Sequence, residues 1–193
     1  GAPYLIPKAR GGYRIGHGML FDHMMMDGLE DAYSRDEKGN ARSMGTFAEE
    51  CASQYAFTRE AQDAFAIESV KRAQAAARDG GFDWEIAPVT VPGRGGDTVV
   101  SIDEGPAKAR LEKIPALKPA FKKDGTITAA TSSSINDAAA ALVLMSEDEA
   151  GRRGAKPLAR IVAHSTHSQA PEWFTTAPVE AIRKVLAKAG WSA

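Results

Sequence analysis

Residues 125–137 constrain this chain more than any other stretch. They read Gly-Thr-Ile-Thr-Ala-Ala-Thr-Ser-Ser-Ser-Ile-Asn-Asp and lead into an alanine block that ends at Met145. A β-prone Thr126-Ile127-Thr128 runs into small residues, and Ser132, Ser133 and Ser134 follow in succession. Small side chains on this scale let another group approach the backbone closely. Ser132, Ser133 or Ser134 can cap a following helical turn and leave further N–H groups free for a ligand. On physics alone the stretch is either a tightly packed core turn or a turn that cradles a ligand.

The chain around it has 193 residues, enough for one domain or one and a half. Hydrophobic residues make up 44%, so a core can be buried. The 24 basic and 25 acidic side chains leave a net charge of -1, which argues against nonspecific nucleic-acid or membrane-surface binding as the main task. A single cysteine, Cys51, excludes an internal disulfide and fits a reducing, cytoplasmic setting. No apolar run approaches the roughly 18 residues that span a bilayer. The first basic residues, Lys8 and Arg10, lead into Gly-rich polar sequence instead of the apolar run of a signal peptide.

Taken in order, residues 1–13 are loop-like, broken by Pro3, Pro7 and Gly11-Gly12. Residues 20–33 read as a helix whose Met24, Met25 and Met26 pack into a core with Leu20, Phe21 and Leu29. Residues 34–42 form a charged surface loop with Gly39-Asn40. Thr46 and Glu49 have the spacing of a capping box at the start of a helix that contains Cys51. Thr58 begins a second helix to about residue 79, with Ala66, Val70, Ala73 and Ala77 on one face and Gly80-Gly81 at its end. Residues 85–91, interrupted by Pro88, and 98–102 make a hairpin. Arg94-Gly95-Gly96 between them is a simple turn or a phosphate nest.

Residues 141–145 are apolar and read as a buried strand. Ser146 and Glu149 form another capping box, opening a helix through Arg153 that Gly154 closes. Residues 157–164 are the next strand, and residues 177–189 an amphipathic helix with Val179, Ile182, Val185 and Leu186 toward a core and Gly190 at its end. The strand–helix–strand–helix order implies an α/β layered sheet. His164 and His167, three apart on a strand, do not face one way, so no metal site is expected.

Several of these stretches resemble one family. Residues 126–141 resemble the thiolase pattern T-V-T-A-(G/A)-N-(A/S)-S-x-x-(N/T)-D-G-A-A-A at the entrance to the coenzyme A tunnel. Residues 58–66, Thr-Arg-Glu-Ala-Gln-Asp-Ala-Phe-Ala, resemble its T-R-E-x-Q-D-x-F-A signature, here assigned to packing. Residues 43–49 resemble (H/S)-M-G-x-x-A-E, with Ser43 where many biosynthetic members carry His. Residues 103–121 resemble D-E-x-P-R-x-x-T-T-L-E-K-L-x-x-L-(K/R)-P-A-F but are shorter after Pro106, where Ala107 replaces a basic residue and Lys108 or Arg110 can supply the charge. Ala2-Pro3-Tyr4 and residues 8–13 resemble the segment after a Met-Ser motif and the loop that contacts another dimer.

Over nearly all its 193 residues the chain thus resembles the central segment of the thiolase family, which includes acetyl-CoA acetyltransferases and 3-ketoacyl-CoA thiolases. The resemblance implies an α/β fold: a layered sheet-and-helix core fragment with an inserted α+β loop domain. Residues 1–135 would be the loop domain, 136–156 the end of the N-terminal core half, and 157–193 the start of the C-terminal half. It implies acyl transfer by acetyl-CoA condensation or 3-ketoacyl-CoA thiolysis. Coenzyme A or acyl-CoA is then substrate, with no tightly bound cofactor. Leu29, Ser43, Met44, Ala129 and Ser133 would touch coenzyme A: Ser133 at the pantetheine amide, Met44 and Ala129 packed beside the arm. No catalytic residue is assigned, because Cys51 lacks the C-x-S-G setting of a thiolase nucleophile. The motifs expected before Ala2 and after Trp191 do not occur in the sequence, so the chain is expected to be a fragment, inactive alone. A homodimer or homotetramer is implied for the whole protein, with no nucleic acid and no membrane span. A non-catalytic acyl-CoA or lipid-binding module, or a structural subunit of a fatty-acid oxidation complex, is the contrasting possibility.

Overall fold

The structure, a computed structural model, describes residues 3–193; Gly1 and Ala2, part of the expected N-terminal loop, lie outside the described residues. The chain divides into two compact units. One comprises Gly1–Phe47 with Ile135–Ala193, the other Ala48–Ser134.

The first unit opens with β1 (Tyr4–Leu5), paired antiparallel with β2 (Phe21–Asp22). The expected helix over residues 20–33 is only one wide turn, Met25–Leu29, with its entry held by the Asp22 carboxylate, which accepts from the Met24 (2.8 Å) and Met25 (3.4 Å) amides. Gly28 weakens any continuation, and the next residues pair instead as β3 (Glu30–Arg35) with β4 (Ala41–Ser43). Met24, Met25 and Met26 are therefore exposed, not core.

The expected loop over residues 34–42 is the turn of that hairpin. Asp36 accepts from the amides of Lys38 (2.9 Å) and Asn40 (2.8 Å) and from the Asn40 side chain (3.1 Å), while Gly39 takes φ 82°. The Asn40 hydrogen bonds hold the Asp36 carboxyl below its ordinary range.

Helix α1 (Met44–Gln54) follows directly, and the boundary between the units falls within it, after Phe47. Phe47 is 1% exposed; the Phe174 ring meets it edge-on at 6.1 Å, and the Arg42 guanidinium lies 4.2 Å over its face. The capping box expected from Thr46 and Glu49 is not there. The helix starts earlier: the Ser43 hydroxyl accepts from the Gly45 amide (3.4 Å), and the Thr46 hydroxyl donates back to the Ser43 carbonyl (2.7 Å).

The second unit is built on α2 (Arg59–Arg78). Thr58 caps it, accepting from the Ala61 amide at 3.2 Å, and Gly80 ends it at φ 73° as the sequence requires. Asp63 and Ala66 are its buried residues, whereas Ala77, expected on the inner face, is exposed. Both Asp63 carboxylate oxygens accept from Arg59 Nε (2.9 and 2.8 Å), and Arg59 Nη2 donates to the carbonyls of Ile114 (3.2 Å) and Leu117 (2.8 Å). One ion pair thus ties α2 to the tight turn Leu111–Ala116, whose Ile114 is buried. Between them come the hairpin β5 (Val89–Val91) and β6 (Thr98–Val100), which begins only after Pro88, and α3 (Glu104–Lys108), capped by Asp103. Gln74 Nε2 anchors α3 by donating to the Pro106 carbonyl at 2.8 Å.

The chain then returns to the first unit. Residues 141–145 form no strand, and Leu142 is 86% exposed. A buried strand needs ladder partners, and among the described residues the sheets are three separate two-stranded pairs that exclude this run. Helix α4 (Glu147–Arg152) is capped by Ser146, which accepts from the Glu149 amide (3.2 Å), but the Glu149 carboxylate turns to Arg152 and Arg153 instead of closing the box.

Residues 157–164 also lack a ladder partner. Ala163, Ser165, His167 and Gln169 are half-buried with exposed residues between them, the period of extended chain. This segment is tied to α5 (Ala177–Ala189): Ser165 donates to the Ala181 carbonyl (2.5 Å) and Lys188 to that of His164 (2.9 Å). Val185 and Leu186 of α5 are half-buried; Val179 and Ile182, expected toward a core, are exposed.

Asp63→Ala should destabilise the second unit by about 3 kcal/mol, because it leaves a largely buried guanidinium uncompensated. Asp63→Asn, which keeps an acceptor, should cost less. Urea unfolding monitored at the far-UV helix signal reads both, and equal small losses would show that the pair is not what joins α2 to Leu111–Ala116.

Candidate functional site

The small-residue stretch becomes a bend in the second unit, held from below by α1. Glu49 lies on the inner side of that helix and is buried, whereas Glu50 beside it is exposed. The Thr126 amide donates to both Glu49 oxygens (3.0 and 2.9 Å), and the Ile127 amide donates to Oε1 (2.8 Å). These are charge-assisted bonds to consecutive N–H groups. Gln62 Nε2 on α2 donates to Thr126 Oγ1 (2.9 Å) and to the Phe57 carbonyl (3.1 Å). The Ala120 amide donates to the Ile127 carbonyl at 2.8 Å. Gly125 leaves the space open: a Cβ at that position would stand 2.2 Å from Glu49 Oε1, so the carboxylate would have to move.

Beyond Ile127 the bend holds itself. Thr128 is fully buried, and its hydroxyl accepts from the Ala130 amide (3.2 Å) at the head of a single turn, Ala129–Thr131. Thr131 Oγ1 accepts in return from the Thr128 amide (2.9 Å). Ser132 donates to the Thr128 carbonyl (2.8 Å). The sequence placed the cap among the three serines; the structure places it at Thr128, because no helix follows residue 132 for a serine to cap. Ser132 is thereby occupied. Ser133 is exposed, and its side chain has no hydrogen-bond partner among the described residues; Ala129 is exposed on the turn.

The other expected contact residues lie in the first unit. The β3–β4 ladder opposes Glu30 to Ser43, so Leu29 and Met44 flank one rung at the open end of that hairpin. Leu29 is half-buried and Met44 exposed, an apolar pair beside the Ser43 hydroxyl that starts α1. The structure therefore gathers Leu29, Ser43 and Met44 at one hairpin end, and Ala129 and Ser133 on one bend.

Other candidates are placed plainly. Lys108 pairs with Glu104 at the surface, and Arg110 is exposed. His167 contacts Gln169 (3.1 Å) and Lys184 (3.2 Å) through its two ring nitrogens, and His164 is exposed. Cys51 is a free, half-buried thiol in mid-helix. Among the described residues no three His, Cys, Asp or Glu side chains gather as a metal site.

Sequence reasoning missed Glu49 and Gln62 as the bend's supports and the Arg59–Asp63 pair as the tie to Leu111–Ala116, reading Glu49 as a local cap and residues 58–66 as packing. Glu49 meets partners 77 and 78 residues away, which no local period reveals. The available signal was chemical: polar side chains at positions of α1 and α2 that had to be buried.

Solved structures of acetyl-CoA acetyltransferases share the architecture. That from Bacillus anthracis matches with TM-score 0.88 and 42% identity, covering 99% of this chain and 47% of that one. That from Syntrophomonas wolfei matches with TM-score 0.82 and 38% identity, covering 98% and 46%. The fold is thus the α/β fold of these enzymes. The sequence also matches the family described as thiolase, N-terminal domain, over residues 1–148. A probable acetyl-CoA acetyltransferase of Dictyostelium discoideum is 46% identical over 189 residues, 97% of this chain and 44% of that protein. An acetyl-CoA acetyltransferase of Chromobacterium violaceum is 45% identical over 193 residues, 99% and 48%. The chain belongs to the thiolase family, and it spans a little under half the length of the curated relatives it matches.

Thr128→Val, which keeps the shape and removes the hydroxyl, should cost about 1–3 kcal/mol by orphaning the Ala130 amide. Chemical denaturation measures this; an unchanged midpoint would show that the bend does not rely on that bond.

Proposed function

We propose that this chain is the central part of a thiolase-type acyltransferase, acting in acetyl-CoA condensation or 3-ketoacyl-CoA thiolysis. The observation that supports it is the likeness, at 42–46% identity over nearly the whole chain, to proteins named acetyl-CoA acetyltransferase. In this reading residues 1–135 form the loop domain, 136–156 complete the first core half and 157–193 begin the second. The chain's own task is to grip the substrate. Ser133 offers a free hydroxyl to the pantetheine amide, and Ala129 packs beside the arm. Leu29 and Met44 supply a flexible apolar wall beside the Ser43 hydroxyl. Small side chains at the bend let the thin arm lie close to the backbone.

The acyl-accepting thiolate belongs to parts of the enzyme that this sequence does not include. Its only cysteine, Cys51, is a half-buried thiol within α1 and lacks the C-x-S-G setting of a thiolase nucleophile. Coenzyme A thioesters are substrates, with no tightly held cofactor. The whole enzyme would be a cytoplasmic homodimer or homotetramer of fatty-acid metabolism. No helix among the described residues is long and apolar enough to cross a membrane.

Calorimetric titration of coenzyme A into the chain tests the grip. Ser133→Ala should raise Kd by about three- to tenfold, the worth of one hydrogen bond, with unfolding unchanged since the side chain is exposed. An unaltered Kd removes Ser133 from the site. The chain alone should show no thiolysis, and appreciable turnover would overturn this division of labour.

A further inference from the structure

The candidate bend is made almost entirely of side chains too small to pack it in place, and one buried carboxylate beneath it fixes its direction. We infer that Glu49 is a positioning residue for substrate: it orients the backbone that presents Ala129 and Ser133 to the pantetheine arm of an acyl-CoA. This rests on the reading of the bend given under Proposed function.

Three observations carry it. Glu49 is a buried acidic residue, which is costly unless every oxygen is satisfied. Its two oxygens are satisfied by consecutive amides, Thr126 and Ile127, so the carboxylate fixes the plane of the backbone and not merely its distance. Gly125 leaves the room this needs, and Gln62 Nε2 donates at 2.9 Å to the Thr126 hydroxyl, which itself donates to Glu49 Oε2 at 3.4 Å. The chain of bonds then passes through Thr128, Thr131 and Ser132 and stops. Ser133, next along, carries its hydroxyl free of any partner among the described residues. The polar network therefore ends one residue short of the group proposed to bind substrate, which is what a support requires.

The test compares Glu49→Ala, Glu49→Gln and Ser133→Ala in the 193-residue chain. Calorimetry gives Kd for coenzyme A and, separately, for adenosine 3′,5′-bisphosphate, the half of the ligand that lacks the arm. Hydrogen exchange reads the Thr126 and Ile127 amides. Glu49→Ala should free both amides and weaken coenzyme A by up to about tenfold, the worth of the one Ser133 hydrogen bond that the bend would present. Affinity for the bisphosphate should be unchanged. Glu49→Gln, keeping one carbonyl acceptor, should fall between, and adding Ser133→Ala to Glu49→Ala should weaken binding little further.

Wild-type coenzyme A affinity in Glu49→Ala alongside a loss in Ser133→Ala overturns the positioning role and leaves the site standing. Equal losses for coenzyme A and the bisphosphate also overturn it, as they mark general loosening. If neither variant alters coenzyme A binding, or the chain does not bind it, the site reading fails and the inference with it. Should Glu49→Ala not fold, Glu49→Gln and Gly125→Ala, whose new methyl displaces the carboxylate, make the same comparison.

Discussion

The second unit depends on one carboxylate. Glu49 joins the start of the helical part of the unit to a bend 77 residues further along, and does so through two consecutive amides. Burying a carboxylate is unfavourable unless donors replace its water, and here backbone donors do. Its burial, the glycine at residue 125 and the direction of the chain from Thr126 onward are therefore one constraint seen from three sides. A larger residue at 125 removes the space, and a shorter one at 49 removes the acceptor.

The same logic extends along α2. Residues 58–66 look like a packing helix, yet their distinguishing members are polar. Thr58 caps, Arg59 reaches the carbonyls of Ile114 and Leu117, Gln62 joins Phe57 to Thr126, and Asp63 holds Arg59 in its fork. Only Asp63 and Ala66 of this helix are buried. Side chain to backbone bonds, more than apolar area, decide where the segments after α2 run. Such bonds are directional, so they fix geometry that a patch of alanine surface leaves free.

What was legible in the sequence was what local chemistry decides. Thr58 and Gly80 bound α2, Ser146 starts α4, Gly190 ends α5, and Pro88 delays β5; each acts on its immediate neighbours. What was not legible depends on partners distant in the chain. The run of apolar residues around Met24 to Met26 suits a helix, but pairing of β3 with β4 claims the residues after Gly28. Residues 141–145 and 157–164 have strand composition, but a strand exists only with a neighbour to share its ladder, and none of the described strands is that neighbour. At the bend, the sequence pointed to the wrong hydroxyl: Thr128, not a serine, is the cap. The three serines are not equivalent. Ser132 is used by the fold, and Ser133 is left over.

That division follows from size. Alanine and serine bury too little apolar area, at about 25 cal/mol per Å², to hold a bend against its conformational entropy. A backbone that must stay narrow beside a ligand cannot use large side chains to pin itself. In the proposed site it has to be pinned from the opposite side, by groups that the ligand would not meet. Glu49, Gln62 and the buried Thr128 hydroxyl occupy that side. Ala129 and Ser133 lie on the exposed face, and its shape is set by residues that sequence proximity would not nominate.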